Sequence, residues 1–258
     1  MTAIEELVRR RTNNSPGERL PESDRPTTFE QAFALQLNVA KGYSLVDPID
    51  FAGWKCGTPN NGNNIVAPLF DNERQFASLD EPHRCLIHPN DDDYAVIEPE
   101  LAFELIADLP PKSGPYTETE VDLAIGKTHI AFELIQSRYR EPSEVPFLEM
   151  LADGLVNQGV WLGPEIHKTD DTTLANIQIR FQEEGEAVEE FSGVHPNGRA
   201  RAGLYWLANF LSEQGIGLQR GQHIITGSYA GVIKLKMATV YRVSYEGLGE
   251  FSIQFTNK

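Results

Sequence analysis

The sequence predicts an α+β protein with a curved or rolled mixed sheet, and three observations support this prediction. From about residue 51 onward, short segments rich in Val, Ile and aromatic residues alternate with turns, which favours strands. Apolar residues with helical spacing occur mainly before residue 51 and in two later stretches. The chain contains no GxGxxG or Walker A sequence, the main signature of nucleotide-binding folds. Strands grouped apart from helices are typical of the α+β class.

The first part of the chain is predicted to be helical. Thr28 and Gln31 have the spacing of a capping box, and apolar residues with helical spacing follow them. Gly42 is placed to end this helix. We therefore expect two units: a helical N-terminal segment, residues 1–50, and the main domain on which it packs, residues 51–258.

Beyond the N-terminal segment, the predicted elements are mostly strands. In chain order, the predicted strand segments are residues 94–106, 128–136, 175–183, 223–226, 232–235 and 240–255. Two helices interrupt them, residues 117–127 and residues 197–214. The first helix begins at a second capping box, Thr117 with Glu120, and the other has apolar residues at helical spacing.

The composition is that of an acidic globular protein. The 22 Lys and Arg against 38 Asp and Glu give a formal net charge of −16, which argues against nucleic-acid and polybasic membrane contacts. No apolar run approaches the roughly 18–20 residues that a membrane helix needs, and the start lacks the apolar stretch of a secretory signal. Cys56 and Cys85 form no CxxC pair and are expected to be reduced thiols. We expect a cytoplasmic protein without nucleic-acid or membrane partners.

Two glutamates on one predicted strand are the first candidates for a functional site. Glu98 and Glu100 share one face of that strand, because successive side chains point to opposite faces. Pro99 between them has no N–H, which places it at a sheet edge or a bulge. Three interpretations of the acids remain open: the solvated face of an amphipathic strand, the carboxylate pair of a glycosidase, or a hard-cation site.

A third carboxylate on another predicted strand would favour the metal. Glu133 is the lone acid of an otherwise apolar run. Because a bare buried carboxylate is costly, Glu133 lies on a solvated face, pairs with a cation, or joins Glu98 and Glu100 around a metal. Arg138, five residues further on, is the candidate cation for the ion-pair interpretation.

Six segments, in order along the chain, together resemble a known family. They are residues 29–36 (FEQAFALQ), 53–57 (GWKCG), 97–103 (IEPELAF), 132–138 (FELIQSR), 193–196 (GVHP) and 221–228 (GQHIITGS). This pattern resembles the 2-keto-4-pentenoate hydratase and 4-oxalocrotonate decarboxylase family, within the fumarylacetoacetate hydrolase superfamily. The resemblance implies a mixed β-sandwich roll of the fumarylacetoacetate hydrolase C-terminal type, with helical N-terminal decoration, assembled as a homo-oligomer.

The resemblance also implies a set of site residues. The metal ligands, for Mg²⁺ or Mn²⁺, would be Glu98, Glu100 and Glu133. The catalytic residues would be Lys55 and His195. Lys55 would contact the carboxylate or enolate, and His195 would shape or protonate the distal end of the pocket, unless it is a structural residue at a helix entry. The residues that bind substrate would be Thr226, Gly227, Ser228 and Arg138.

The activity that the resemblance implies is metal-dependent lyase chemistry on a 2-oxo acid. Hydration of a 2-hydroxydienoic acid through a metal-stabilised enolate is the first expectation. The alternatives are decarboxylation, acylpyruvate hydrolysis, and a non-catalytic member that acts as a binding scaffold. One departure weakens the hydratase expectation: residues 56–68 are Asn-rich and lack the acidic residue that the family carries after its lysine strand.

Overall fold

Two mixed β-sheets and a few helices make up the described chain. The structure, a computed structural model, describes residues 1–44, 51–167 and 170–258. The helices are α1 (Ala3–Asn13), α2 (Phe29–Ser44), α3 (Glu118–Ala124), α4 (Phe147–Ala152) and α5 (Ala202–Glu213). The strands are β1 (Phe51–Asn60), β2 (Asn63–Phe70), β3 (Arg74–Phe76), β4 (His83–Ile87), β5 (Tyr94–Leu105), β6 (Ile125–Ile135), β7 (Asn157–Ile166), β8 (Asn176–Glu183), β9 (Glu189–Val194), β10 (His223–Ile225), β11 (Ile233–Lys236), β12 (Val240–Tyr245) and β13 (Gly249–Asn257). The predicted α+β class is confirmed.

The larger sheet has the strand order β2-β1-β10-β5-β6-β7-β3, and β11 also pairs with β5. It curls until β2 contacts β7 at its other side, so one of its faces is concave. Small and branched apolar side chains fill part of this concave face, among them Leu69, Ala102, Ala131, Val160 and Ile225, all fully buried. The curl agrees with the rolled sheet expected from the sequence.

The smaller sheet has the order β4-β13-β12-β8-β9 and covers the convex face of the larger one. Aromatic rings fill the interface. Phe132 and Trp161 of the larger sheet stack with centroids 5.3 Å apart, and both contact Phe251 of the smaller sheet. Since Phe132 points into this core, its neighbour Glu133 points to the concave face.

Strand β5 lies in the centre of the larger sheet. Pro99 pairs with Phe132 of β6 on one side, but on the other side it lies in the gap between β11 and β10. β11 pairs with Tyr94–Ile97 and β10 with Ala102–Glu104, so neither partner faces Pro99. The expectation of a sheet edge or bulge at Pro99 was therefore wrong. A central strand accepts this proline because its missing N–H falls between two partner strands.

The N-terminal helices pack against each other and onto the main body. α2 continues through Gly42, which was expected to end it. A Cβ at Gly42 would lie 3.0 Å from Cγ2 of Val8 on α1. The glycine thus serves the close approach of two helices. The expected segment 1–50 includes residues 45–50, which lie outside the described residues.

The two later helices are shorter than predicted. The capping box of Thr117 and Glu120 is confirmed, but α3 ends at Ala124 because β6 begins at Ile125. α5 begins at Ala202 instead of residue 197, after a run of turns. In the described ranges, none of the helices has the length and apolar character needed to cross a membrane.

Candidate functional site

Three glutamates from two neighbouring strands meet on the concave face of the larger sheet. Glu98 on β5 lies directly opposite Glu133 on β6, and Glu100 follows two residues further along β5. One carboxylate oxygen of each lies within 4.8 Å of the others. Glu100 is 2% exposed and Glu133 is fully buried. The structure therefore brings together the three acids that the sequence indicated, and their role as ligands stays a prediction.

Lys55 on β1 is the cation of this cluster. Its Nζ donates to Oε1 of Glu133 at 2.6 Å and to the carbonyl of Leu155 at 3.3 Å. Strand β1 approaches the centre of the sheet closely at Gly53, where a Cβ would lie only 1.7 Å from the carbonyl oxygen of His223 and where φ is +155°. Glycine at position 53 thus permits the pairing of β1 with β10 that places Lys55 beside the acids.

Asn157, at the start of β7, is a site residue that sequence reasoning missed. Its side-chain amide donates to Oε1 of Glu133 at 2.9 Å, so that this oxygen accepts from both Lys55 and Asn157. The other oxygen, Oε2, is buried and has no hydrogen-bond partner among the described residues. A buried carboxylate oxygen with an unused acceptor is suited to a cation.

Burial and mutual repulsion disfavour the charged forms of two of the acids. Burial, followed by the charge of Glu133, raises the pKa of Glu98 to about 7. Burial, with the charges of Glu133 and Glu98, holds the pKa of Glu100 well above its usual range. For Lys55, burial disfavours the charge, but Glu133 and then Glu98 outweigh it and raise its pKa. Without a further positive charge, Glu98 and Glu100 therefore hold their protons more tightly than free carboxyls do.

The formal charges at the cluster fit a divalent cation. Three carboxylates and one ammonium sum to −2, which one divalent ion neutralises. All candidate ligand atoms are carboxylate oxygens, the donors that hard cations such as Mg²⁺ and Mn²⁺ prefer. Because Lys55 contacts only Oε1 of Glu133, the free Oε2 remains open to such an ion.

The turn after β10 closes one side of the cluster. The backbone N–H of Gly227 donates to Oε2 of Glu100 at 2.7 Å. A Cβ at Gly227, where φ is +130°, would lie 2.8 Å from Cγ of Pro196, so the turn requires glycine. The Ser228 hydroxyl lies within bonding distance of the Pro99 and Gly231 carbonyls. These donors were expected to serve the substrate; in the structure they bond within the protein.

His195 is buried behind the turn and contacts the side chain of Thr226. Its Nδ1 accepts from the backbone N–H of Asn197 at 3.2 Å, so the proton lies on Nε2, which faces Oγ1 of Thr226 at 3.3 Å. The Thr226 hydroxyl in turn donates to the carbonyl of Ala200 at 2.7 Å. Burial lowers the pKa of His195 to about 4, so the ring is neutral. This placement favours the structural alternative for His195. The Thr226 hydroxyl proton is used within the protein, and substrate binding by Thr226 stays a prediction.

Arg138 does not reach the cluster, which contradicts both roles considered for it. Its Nε donates to Asp153 at 2.7 Å, and its other nitrogens donate to the backbone carbonyls of Gln136, Asp153 and Asn157. The ion-pair partner of Glu133 is Lys55 instead. Arg138 therefore fixes the segment that carries Asn157, and it neither pairs with Glu133 nor lines the cavity.

A cavity of about 390 Å³ opens onto the cluster. Lys55 and the three glutamates line one end, together with Gly227 and Ser228. The remaining wall is uncharged: its apolar residues are Ile65, Phe147, Leu155 and Pro196, and its polar ones include Thr58, Asn60 and Asn197. Among the described residues that line the cavity, Lys55 is the only cation.

Sequence relatives of the chain are enzymes that act on unsaturated or 2-oxo acids. The chain is 28% identical over 171 residues to a 4-oxalocrotonate decarboxylase of Pseudomonas putida, covering 66% of this chain and 61% of the relative. It is 29% identical over 249 residues to a 2-oxo-hept-4-ene-1,7-dioate hydratase of Escherichia coli, covering 88% and 87% of the two chains. The match thus spans less than two thirds of the decarboxylase. No protein-family model matches the chain.

A solved structure has the same fold as this chain. The 4-oxalocrotonate decarboxylase from Pseudomonas putida G7, complexed with magnesium and adipate, superposes with a TM-score of 0.74 at 21% identity, covering 98% of this chain and 95% of that one. At this identity the superposition shows that the two chains share a fold. By sequence the chain is similar to 4-oxalocrotonate decarboxylases and 2-keto-4-pentenoate hydratases, the proteins that its motifs resemble.

Proposed function

We propose that the chain is a divalent-metal-dependent lyase that acts on a 2-oxo acid, or on the 2-hydroxydienoic acid that ketonises to one. The observation that carries the proposal is the three-glutamate cluster beside Lys55, with Oε2 of Glu133 left free. Glu98, Glu100 and Glu133 would hold Mg²⁺ or Mn²⁺. When bound, the ion supplies Lewis-acid stabilisation of the negative charge that builds on the oxygen of a 2-oxo acid.

The protein's own groups have separate tasks in this proposal. The ammonium of Lys55 has three N–H donors: two donate hydrogen bonds to Glu133 and to the Leu155 carbonyl, and the third would donate to the substrate carboxylate. The Gly227 N–H fixes the Glu100 carboxylate, and the buried Asn157 amide fixes Glu133. Both acids therefore keep their orientation when a substrate enters, which limits the reorganisation that the reaction requires.

The uncharged far wall of the cavity supports a monocarboxylic substrate. A 2-oxo acid places its carboxylate and keto oxygens near Lys55 and the acids. A second, distal carboxylate would meet Ile65, Phe147 and neutral amides, with no cation among the described lining residues to offset its desolvation. We therefore favour 2-keto-4-pentenoate hydratase-like hydration, in which water adds to the conjugated alkene and yields a 4-hydroxy-2-oxo acid. Decarboxylation of a dicarboxylate such as 4-oxalocrotonate is the second candidate.

The metal assignment is tested by Mg²⁺ titration calorimetry on the full chain. Glu98→Gln, Glu100→Gln and Glu133→Gln should each abolish measurable Mg²⁺ binding, because each removes a ligand and a compensating charge. Glu165→Gln, on the neighbouring strand β7, is the matched control and should bind like the unchanged protein. Unchanged affinity in all three cluster variants would refute the metal assignment.

The activity is tested with 2-hydroxypenta-2,4-dienoate and Mg²⁺, by following the loss of dienol absorbance. A 4-hydroxy-2-oxo acid as product supports hydration. CO₂ release from 4-oxalocrotonate, with no turnover of the dienoate, would assign the decarboxylase alternative. Cleavage of an acylpyruvate would assign hydrolysis, and binding of a 2-oxo acid without turnover of any of the three substrates would assign the scaffold.

We also infer that residues 51–258 form the catalytic domain as a mixed β-sandwich roll, with residues 1–50 as a helical decoration. The buried Gln36 amide on α2 supports this arrangement, since it donates to the carbonyls of Val66 and Leu151 in the main body. A chain that starts at residue 51 should therefore have a lower unfolding temperature and should still bind Mg²⁺. The expected homo-oligomer stays a prediction that light scattering on the purified chain tests.

A further inference from the structure

A second cluster of metal-binding side chains lies at the opposite end of the same concave face. Glu104, His129 and His223 each offer one ligand atom, and these atoms lie within 4.8 Å of one another. Glu104 is four residues beyond Glu100 on β5, about 13 Å along the strand. The buried side chain of Ala102 and its neighbours separate the two clusters. The second cluster is therefore distinct from the three-glutamate site.

Strand register brings these three residues together. His223 on β10 lies directly opposite Glu104 on β5, and His129 on β6 lies opposite Ala102. Residues paired across strands point to the same face, so all three side chains emerge on the concave side. β10 and β6 flank β5 on its two sides. A bound ion would consequently link three adjacent strands.

His129 already has the tautomer that metal binding requires. Its Nδ1 lies 3.0 Å from the carbonyl of Gly163, and because a carbonyl only accepts, Nδ1 carries the proton. The lone pair on Nε2 therefore faces the cluster, 3.9 Å from Oε2 of Glu104. That separation is too long for a hydrogen bond and leaves room for an ion between the two atoms. A backbone carbonyl on the outer nitrogen is the usual support of a metal-bound histidine.

The surroundings of His223 also permit a ligand role. Nη1 of Arg74 lies 3.1 Å from its Nδ1 and donates to the carbonyl of Gly221 at the same distance. Because a guanidinium only donates, Nδ1 accepts from Arg74. Arg74 can keep the carbonyl bond and release Nδ1 as a ligand atom, whereas binding through Nε2 requires the ring to change tautomer. The charge of Arg74 is offset by an ion pair with Asp71.

We infer that Glu104, His129 and His223 form a second metal site, for a borderline transition metal such as Zn²⁺. Two imidazoles and one carboxylate are a donor set that Zn²⁺ adopts, with water in the remaining position, whereas Mg²⁺ favours oxygen ligands. The strands that this ion would link are β5 and β6, which carry the three glutamates, and β10, which leads into the turn at Gly227. Its role is to hold that part of the sheet in register.

The inference is tested on the full chain in the Glu133→Gln background, which removes the competing site. Zn²⁺ alone is titrated into metal-free protein. One equivalent should bind, and adding Glu104→Gln or His129→Gln should weaken the affinity by about 100-fold or more, since one of three ligands is lost. His88→Gln, which removes a histidine outside the cluster, is the matched control and should leave the affinity unchanged.

A spectroscopic readout separates a lost ligand from a misfolded variant. Zn K-edge absorption of the loaded Glu133→Gln protein should show two imidazole ligands, and circular dichroism should show all variants folded. The inference is overturned if the Glu133→Gln protein binds no Zn²⁺, if the zinc has oxygen ligands only, or if folded Glu104→Gln and His129→Gln variants bind as tightly as the control. Failure of the three-glutamate site to bind Mg²⁺ would not affect any of these results.

Discussion

The ion pair of Lys55 with Glu133 offers a measurable test of the site's electrostatics. Nζ and Oε1 are 2.6 Å apart, and the two side chains are 11% and 0% exposed. Removing one partner of a buried pair costs about 3–5 kcal/mol, because the other charge stays buried without compensation. The loss of unfolding free energy in Lys55→Met should lie near the upper end of this range, since the substitution leaves three acids without a cation. Glu133→Gln should cost less, because Lys55 still faces Glu98 and Glu100.

The double variant reports the coupling between the two groups. In EDTA, Lys55→Met with Glu133→Gln should lose less unfolding free energy than the sum of the single variants, with an interaction energy of about 1–3 kcal/mol. Urea unfolding followed by circular dichroism and tryptophan fluorescence measures all four proteins. The matched control is the exposed pair of Lys236 with Glu183, at 2.8 Å and with side chains 53% and 26% exposed. Its interaction energy should be at most about 1 kcal/mol.

Two outcomes would refute this reasoning. If the buried pair is additive within about 0.5 kcal/mol, Lys55 and Glu133 do not interact in the folded protein as the structure describes. If the buried and exposed pairs have equal interaction energies, burial does not set the strength of the contact. Repeating the Lys55→Met measurement with Mg²⁺ adds a further check, because a bound cation replaces the lost positive charge and should reduce the destabilisation.

Three further predictions follow from single contacts. Gly227→Ala should lower the unfolding free energy by about 1–3 kcal/mol, because its Cβ would lie 2.8 Å from Cγ of Pro196 at a φ of +130°; an unchanged urea midpoint would contradict the tight turn. Burial raises the pKa of Glu98 to about 7, so the native state binds this proton more tightly than the unfolded chain does. The free energy of unfolding in EDTA should therefore fall by up to roughly 3 kcal/mol as the pH rises from 4.5 to 7. Glu98→Gln should flatten that slope in urea titrations, and an equal slope in both proteins would count against the raised pKa. Burial also raises the thiol pKa of Cys56 and Cys85, so iodoacetamide should modify neither in the native protein and both in urea, as mass spectrometry would record.

The sequence predicted the central strand of the site well, because its signal is local. In β5, Ile97, Leu101 and Phe103 are at most 1% exposed and lie on the face opposite Glu98 and Glu100. A period-two pattern of this kind depends only on the pleat of one strand. For Glu133 the sequence left a solvated face, an ion pair and a metal site open; the structure buries it opposite Glu98 and pairs it with Lys55.

Pairings between distant segments could not be predicted from local patterns. Arg138 is five residues from Glu133 in the sequence, yet the structure pairs Glu133 with Lys55, which is 78 residues away. The sequence did not indicate a site role for Asn157, because asparagine is common in the turns that precede strands. Arg138 was the expected ion-pair partner of Glu133 because it is close in sequence. In the structure, the register of β1, β10 and β5 places Lys55 beside Glu133 instead.

Glycine and helix boundaries were ambiguous for a related reason. Gly42 has the chemistry of a helix end, but its neighbour in space is Val8 of another helix, and that contact decides its role. The helix expected over residues 117–127 lost its last turn because residues 125–135 pair with β5 and β7. In both places tertiary packing overrides a local preference.

The interruption in the pairing of β5 explains why the acids meet where they do. β10 ends at Ile225, and the chain then crosses β5 at Pro99, where the N–H of Tyr229 donates to the proline carbonyl at 2.9 Å. A continuous partner strand would place side chains over Glu98 and Glu100 and use its backbone N–H groups for strand pairing. The crossing turn instead leaves the concave side open and frees the Gly227 N–H to bind Glu100. Pro99 has no N–H to offer a partner strand on this side of β5, so the gap at Pro99 coincides with the opening above the acids and with the Gly227 N–H that holds Glu100.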